Sequence, residues 1–423
     1  MPIAGELARL PLGPENGILP TDLLIPFFIA VWLAKKIIAP QDSISTLSPQ
    51  PVNRPLRSVA QSRHLKPLVI FCLIAGLSLL QAFIFLKPSE VISGSFYLIR
   101  FASYALIYLA VSDILKTEKQ ATRLFNAAIA AALLIAVAGF IQLAVYPDMG
   151  KLEEFGWDPH INRLVSTWLD PNFIGGFMAF ITCVILGVTA YTKKLSTKAT
   201  LYLTAAILMT ALFLTYSRSA YLAAGAGITV LGILKSRRLL IAFLVIFILA
   251  IGLSPRAEQR VTDLGYSISS FIFNTSANPD ATARLRIKSW EQTIELISKR
   301  PLLGSGYNTL RYVNYNEGFV SDPKIHSASG SDSSLLTVLA ATGVIGLAPF
   351  LWFYYSVVSA AFINWRDKKL TPFGRGISLG LFTGLISLFC HSLFVNSLFF
   401  PQILIPVAVI IGIMESVSKR RDI

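Results

Sequence analysis

Long apolar runs recur along this chain, separated by short polar links, and most approach the twenty or so residues a helix needs to cross a bilayer core. They fall at 21–39, 67–87, 91–112, 122–146, 166–191, 199–216, 219–235, 237–254, 333–363, 374–395 and 398–416. The pattern predicts an all-α, polytopic transmembrane helix bundle of about eleven spans, with room for a twelfth. Several runs contain Gly or Pro, which membrane helices tolerate where neighbours satisfy the backbone. The chain thus divides into an N-terminal transmembrane bundle at 1–254, a long segment at 255–332, and C-terminal spans with a tail at 333–423. No internal repeat is visible.

The links alternate in character. Lys35, Lys36, Arg54, Arg57, Arg63 and Lys66 surround the first; Lys116, Lys119 and Arg123 mark the next but one. The alternation continues through Lys193, Lys194 and Lys198, then Lys235, Arg237 and Arg238, then Arg366, Lys368, Lys369 and Arg375, and ends at Lys419, Arg420 and Arg421. Basic links stay inside the cell, which puts the N-terminus outside and the C-terminus in the cytoplasm. The outer side then holds 1–20, 88–90, 147–165, 217–218, 255–332 and 396–397.

Composition agrees. Of 423 residues 54% are hydrophobic and 14% charged, against roughly 25% charged in a soluble domain. The net charge of +14 could suggest nucleic acid, but the cations sit in the links and no recognition motif is present, so no nucleic-acid partner is expected. Cys72, Cys183 and Cys390 are scattered through apolar runs and make neither a disulfide framework nor a metal site. The first run lacks a basic leader and a cleavage site, and reads as a retained span.

The longest outer segment carries the chemistry. Residues 281–300 place Ala283, Ile287, Trp290, Ile294 and Ile297 on one helical stripe, with Arg284, Lys288, Glu291 and Glu295 opposite, as in an amphipathic surface helix. Pro301, Gly304 and Gly306 of PLLGSGYN then break it. Arg286, four before Trp290, lies on the apolar side, where an unpaired charge is costly and an anionic partner would offset the cost. Snorkelling to lipid phosphates or an internal carboxylate would also do so.

Two more arginines share that side. Arg218 occupies the short turn TYSRSA, and Arg163 in HINRLVSTWLDPN precedes a span opened by a DPN turn. Singly, each fits a structural or headgroup contact. Together, three outer guanidinium groups with few nearby carboxylates suggest a diphosphate site. A proton acceptor is available in His326, an ordinary loop histidine by position, and Asp332 follows six residues later as base or orienting group. His160 also faces outward, His391 reads as a packing histidine inside a span, and His64 lies in a cytoplasmic link.

These features, in this order, resemble the O-antigen ligase/polymerase superfamily, the Wzy/WaaL-like bacterial membrane glycosyltransferases. They are Arg163 ahead of Pro171-Asn172, the Ser217-Arg218 pair, Arg286-x-x-x-Trp290 with PLLGSG, and a polar segment leading into LLTVLAATGVIGL. Members place HN or HS eleven residues before a glycine at the position of Gly343; here Asp332 and Ser333 stand there, while His326-Ser327 comes six residues earlier. The resemblance implies transfer of a glycan from a polyprenyl-diphosphate carrier to an acceptor hydroxyl, without metal or cofactor, at the outer face of the bacterial cytoplasmic membrane. In that scheme Arg163, Arg218 and Arg286 bind the diphosphate, and His326 or Asp332 takes the acceptor proton for an inverting attack. A polymerase would extend another lipid-linked glycan. A ligase would deliver to lipid A core or another surface acceptor. A lipid-linked glycan flippase or transporter, the alternative of another class, would need midspan ionisable groups, of which Arg100 is the one strong basic example, and a pseudo-repeat.

Overall fold

The computed structural model describes residues 3–11, 17–38, 62–155, 158–263, 281–323, 328 and 330–419. All eleven apolar runs are helices: α1 (Pro20–Ile38), α2 (Leu65–Ala82), α3 (Pro88–Ile114), α4 (Glu118–Val145), α5 (Pro171–Thr189), α6 (Leu195–Leu214), α7 (Arg218–Lys235) and α8 (Arg237–Gly252), then α11 (Ser334–Arg366), α12 (Pro372–Ser392) and α13 (Pro401–Ser418). The long segment between α8 and α11 adds α9 (Ala281–Lys299) and α10 (Leu310–Asn316). Among the described residues, eight helices are long and apolar enough to cross a membrane. Of the three others, α1 carries Asp22, Lys35 and Lys36, α8 has 16 residues, and α7 has a charge at either end.

Prolines and short polar side chains start the helices. Pro88, Pro171, Pro372 and Pro401 open theirs, where the missing N–H is no loss. Thr117 accepts from Gln120 N, Thr371 from Gly374 N and Asp170 from Asn172 N, each satisfying an orphan amide of the first turn.

The core is centred on α5, nearly all of whose side chains are buried. It lies against α12 so closely that a Cβ on Gly187 would stand 2.3 Å from the Gly380 nitrogen. Gly376, Gly380 and Gly384 follow at four-residue spacing along α12 and all face α5, as in membrane bundles where small residues let backbones approach. Gly227 brings α7 into the same seam, against Cys183 and Ser387. The periphery is inverted relative to a soluble protein. On α2, Phe71, Ala75 and Leu79 face inward, while Leu73, Leu77 and Leu80 are exposed and equally apolar, a surface suited to lipid.

One end of the bundle gathers the basic links. Lys36 pairs with Asp113 at 2.7 Å, Lys235 and Arg375 lie over the Tyr191 ring, His64 meets Glu415, and Lys419 reaches Ser112. Arg100 sits higher in α3, where its Nε and Nη2 both donate to Asp22 of α1 at 2.6 Å. This fork replaces a lone midspan cation with a neutral pair.

The segment after α9 re-enters the bundle. Gly343 breaks α11 with φ 64 and ψ −173, a conformation essentially restricted to glycine. The break frees two carbonyls and two amides, and PLLGSG supplies their partners: Ser305 N donates to Ala340 O, Gly306 N to Ala341 O, Val344 N to Pro301 O and Ile345 N to Leu302 O. Ser78 of α2 ties the arrangement, donating to Ala341 O and accepting from Gly306 N. Non-helical backbone is tolerated at such a place because protein surrounds it. The two sequence motifs are one structural element.

Candidate active site

The end of the bundle opposite the basic links holds the predicted arginines. The 160–170 loop folds back across the end of α6, with Leu164 N donating to Leu214 O and Arg163 Nε to Thr215 O at 2.8 Å. Gln142 of α4 accepts from Val165 N. The backbone here is strained: Asn162, Ser166, Leu169 and Tyr216 all have positive φ, and such residues persist where the surroundings over-determine them. Asp170 caps α5, and Asn172 Oδ1 accepts from Ser217 Oγ at 2.8 Å. The DPN turn and the Ser217-Arg218 pair thus meet directly. Gly175 admits Ala220, so Arg218, half-buried, opens α7 beside this contact.

Arg286 arrives from α9. The burial of α9 follows Ala283, Arg286, Trp290, Thr293 and Leu296, which places Arg286 on the inward face as predicted. Ile294, assigned to the same stripe, is instead exposed; Thr293 and Leu296 make the contact, because this face packs on protein and the other apolar side chains need not. Arg286 Nε stands 3.9 Å from Asp332 Oδ2, with side-chain exposures of 17% and 53%. Trp290 Nε1 donates to the Asp332 carbonyl and its ring meets Phe394. Asp332 is therefore anchored and half-open to solvent. His326 lies outside the described residues; the chain two positions later is held by Asn314, whose amide donates to Ala328 O.

His391 joins the groups to one another. It is fully buried at the C-terminal end of α12, seated on Gly176, where a Cβ would come within 2.6 Å of the ring. It lies within electrostatic reach of both Asp170 and Arg286, and Asp170 in turn interacts with Arg163. Among the described residues neither ring nitrogen makes a hydrogen bond of ordinary geometry, though the Asn172 backbone lies within reach of the ring. One continuous region therefore contains Arg163, Asp170, Ser217, Arg286, Asp332 and His391.

Sequence reasoning missed two cations. Arg256 donates to Asn162 O and Ile161 O, both at 2.8 Å, and lies over Tyr216. Arg260 follows one turn later in the helical stretch 255–263. Their four-residue spacing was the available signal. Burial pushes the Arg163 guanidinium down to about 10; Asp170 opposes this, while Arg260 and Arg256 add to it by repulsion. Arg163 stays charged at neutral pH, and clustered cations of this kind favour an anion among them. His160 is buried nearby and held below its ordinary value mainly by desolvation, with Asp170 opposing and Arg163 reinforcing. Among the described residues no three His, Cys, Asp or Glu side chains group as metal ligands would.

Residues 203–351 match the family model described as O-antigen ligase. The match runs from α6 into α11 and contains Ser217, Arg218, Arg286, Trp290, PLLGSG, Asp332 and Gly343; Arg163 and the DPN turn precede it. No curated protein matches the chain significantly. Residues 203–351 thus resemble the O-antigen ligase family, and the ordered motifs at one end of a polytopic helix bundle agree with a multi-pass membrane protein similar to that superfamily.

Proposed function

We propose that this protein moves a glycan from a polyprenyl-diphosphate carrier to an acceptor hydroxyl on the outer face of a bacterial cytoplasmic membrane, acting as a polymerase. The N-terminus is outside and the C-terminus in the cytoplasm. The reading is supported above all by one contact: Ser217 donates to Asn172, joining the turn that follows Arg163 to the turn that carries Arg218, with Arg256 and Arg260 within electrostatic reach of Arg163.

Arg163, Arg218 and Arg286 bind the diphosphate and stabilise the charge that builds on it as it leaves. The acceptor oxygen attacks the anomeric carbon from the opposite side, its proton passing to His326 or Asp332. A carbon–oxygen bond forms to the acceptor, the bond to the diphosphate breaks with its electron pair, and configuration inverts. Trp290 and Arg286 hold Asp332 at the mouth of this region. The ligase reading uses the same site with a different acceptor and is favoured by the family's description. The transporter reading loses its main support because Arg100 is neutralised by Asp22.

The test is carrier release from lipid-linked repeat units by protein in nanodiscs. Arg218→Ala and Arg286→Ala each lower the rate by about 100-fold or more, the usual cost of removing a charge-stabilising donor. Normal release in both variants would overturn the assignment. Chain extension without added acceptor marks a polymerase; product only with a separate lipid acceptor marks a ligase.

A further inference from the structure

A second recess lies on the far side of the α12–α13 link from Arg286. Asn396 and Phe399 of that link line it, while Phe394 faces Trp290 on the other side. It is a shallow recess open to solvent, of about 540 Å³ with its open mouth included. Its floor is aromatic: Phe101, Tyr307 and Phe399 touch one another, with ring centroids 5.4 to 6.2 Å apart, so the surface is rigid before any ligand arrives. Its rim is polar, carrying Arg100, Asn308, Thr337 and Asn396. Asn308 is held at φ 57, and among the described residues Asn396 Oδ1 has no hydrogen-bond partner, so its amide has capacity to spare.

The chemistry of the lining selects among ligands. An anion is disfavoured, because the Asp22 carboxylate already occupies Arg100 and would repel it. An isoprenoid chain would strand four polar side chains against hydrocarbon, an uncompensated desolvation cost. A sugar ring satisfies both parts, with C–H faces on the aromatic floor and hydroxyl groups donating to and accepting from the amides and Thr337. The recess also adjoins the proposed reaction site: Thr337 Oγ1 accepts from Ser331 N, one residue from Asp332.

We propose that this recess is a glycan subsite that holds a neutral pyranose ring on the Asp332 side of the proposed reaction site. The proposal rests on the transfer reading only for the identity of the substrate as a glycan. The sugar comes either from the carrier-linked donor or from the acceptor end.

Three probes separate these cases with full-length protein in nanodiscs: undecaprenyl diphosphate alone, the same carrier bearing its repeat unit, and the repeat unit freed from lipid. The variants are Asn396→Leu and Asn308→Gly; the latter deletes an amide where glycine suits the backbone, which guards against misfolding. Each is expected to weaken binding of a glycan-bearing probe about tenfold and to leave bare carrier within twofold. Loss confined to the carrier-linked glycan assigns the donor, and loss extending to the lipid-free glycan assigns the acceptor. Equal loss for bare carrier, or no loss in either variant, overturns the subsite. Arg218→Ala and Arg286→Ala serve as the separate control. If they leave carrier binding intact, the transfer reading fails while the lipid-free glycan still reports on the recess.

Discussion

At the scale of single residues, charge and burial explain most of the arrangement. Arg163, Arg218 and Arg286 were legible because each is a cation beside a short outer turn or on an apolar helix face. Asp170 and His391 were not, because a helix cap and a histidine inside a span have ordinary structural readings and only the packing of α12 on α5 joins them to the arginines. His326 remains a sequence assignment. Replacing Arg286 by Lys keeps the charge but removes the planar fork, so R286K is expected to retain more carrier release than R286A and less than wild type, with the loss appearing in kcat. His160 gives a pH signature. Its folded pKa lies below its ordinary value near 6.5, so the unfolded chain binds more protons over that interval. Stability from this group is intact above about pH 6.5 and erodes as pH falls toward the depressed folded value. Thermal unfolding between pH 7 and 5 should show a fall in Tm that H160Q lacks in part; an identical slope in the variant would exclude this role.

Among elements, the helices were readable from apolar run length, yet the break at Gly343 was not, since one glycine in an apolar run is commonplace. What marks it is its partner forty residues earlier. The cost of a side chain differs sharply between two glycines of similar φ. Gly318 has φ 73 with nothing near its missing Cβ, whereas Gly343 has a Leu302 oxygen at 2.0 Å. Gly318→Ala should therefore cost only the left-handed penalty, about 1–2 kcal/mol. Gly343→Ala adds a steric clash and should lose the folded protein or several times that stability. Comparable Tm values for the two variants would show that the interlock with PLLGSG contributes little. The wheel of α9 shows a further limit. An apolar stripe identifies a helix face but not its neighbour, and so Ile294 was placed on the wrong side.

At the scale of the whole molecule, alternating basic links foretold two chemically different ends, and the structure collects those links as expected through Lys36–Asp113 and the cations over Tyr191. The centrality of α5 and its seam with α12 were not legible, because close packing between segments nearly two hundred residues apart leaves only a spacing of glycines in one partner. Single cysteines at Lys151 and Arg284 should react with an impermeant thiol reagent in intact cells, and cysteines at Lys194 and Lys369 only after lysis, in a background lacking the native thiols. Labelling of Lys194→Cys in intact cells would invert the topology and remove the proposed reaction from the outer face.

The exchange of hydrogen bonds at Gly343 also bears on how the chain is assembled. A transmembrane helix with an open backbone ladder is poorly suited to enter lipid by itself, and its missing partners are synthesised earlier, in residues 301–306. Residues 301–306 are therefore already in the chain when the later span is made, and the open ladder closes only when the two meet. A protein cut between Gly318 and Gly330 would deliver the two halves in the wrong state: one with a template awaiting its strand, the other with a wound facing hydrocarbon. Membrane quality control would be expected to clear the second half unless the first were made beside it.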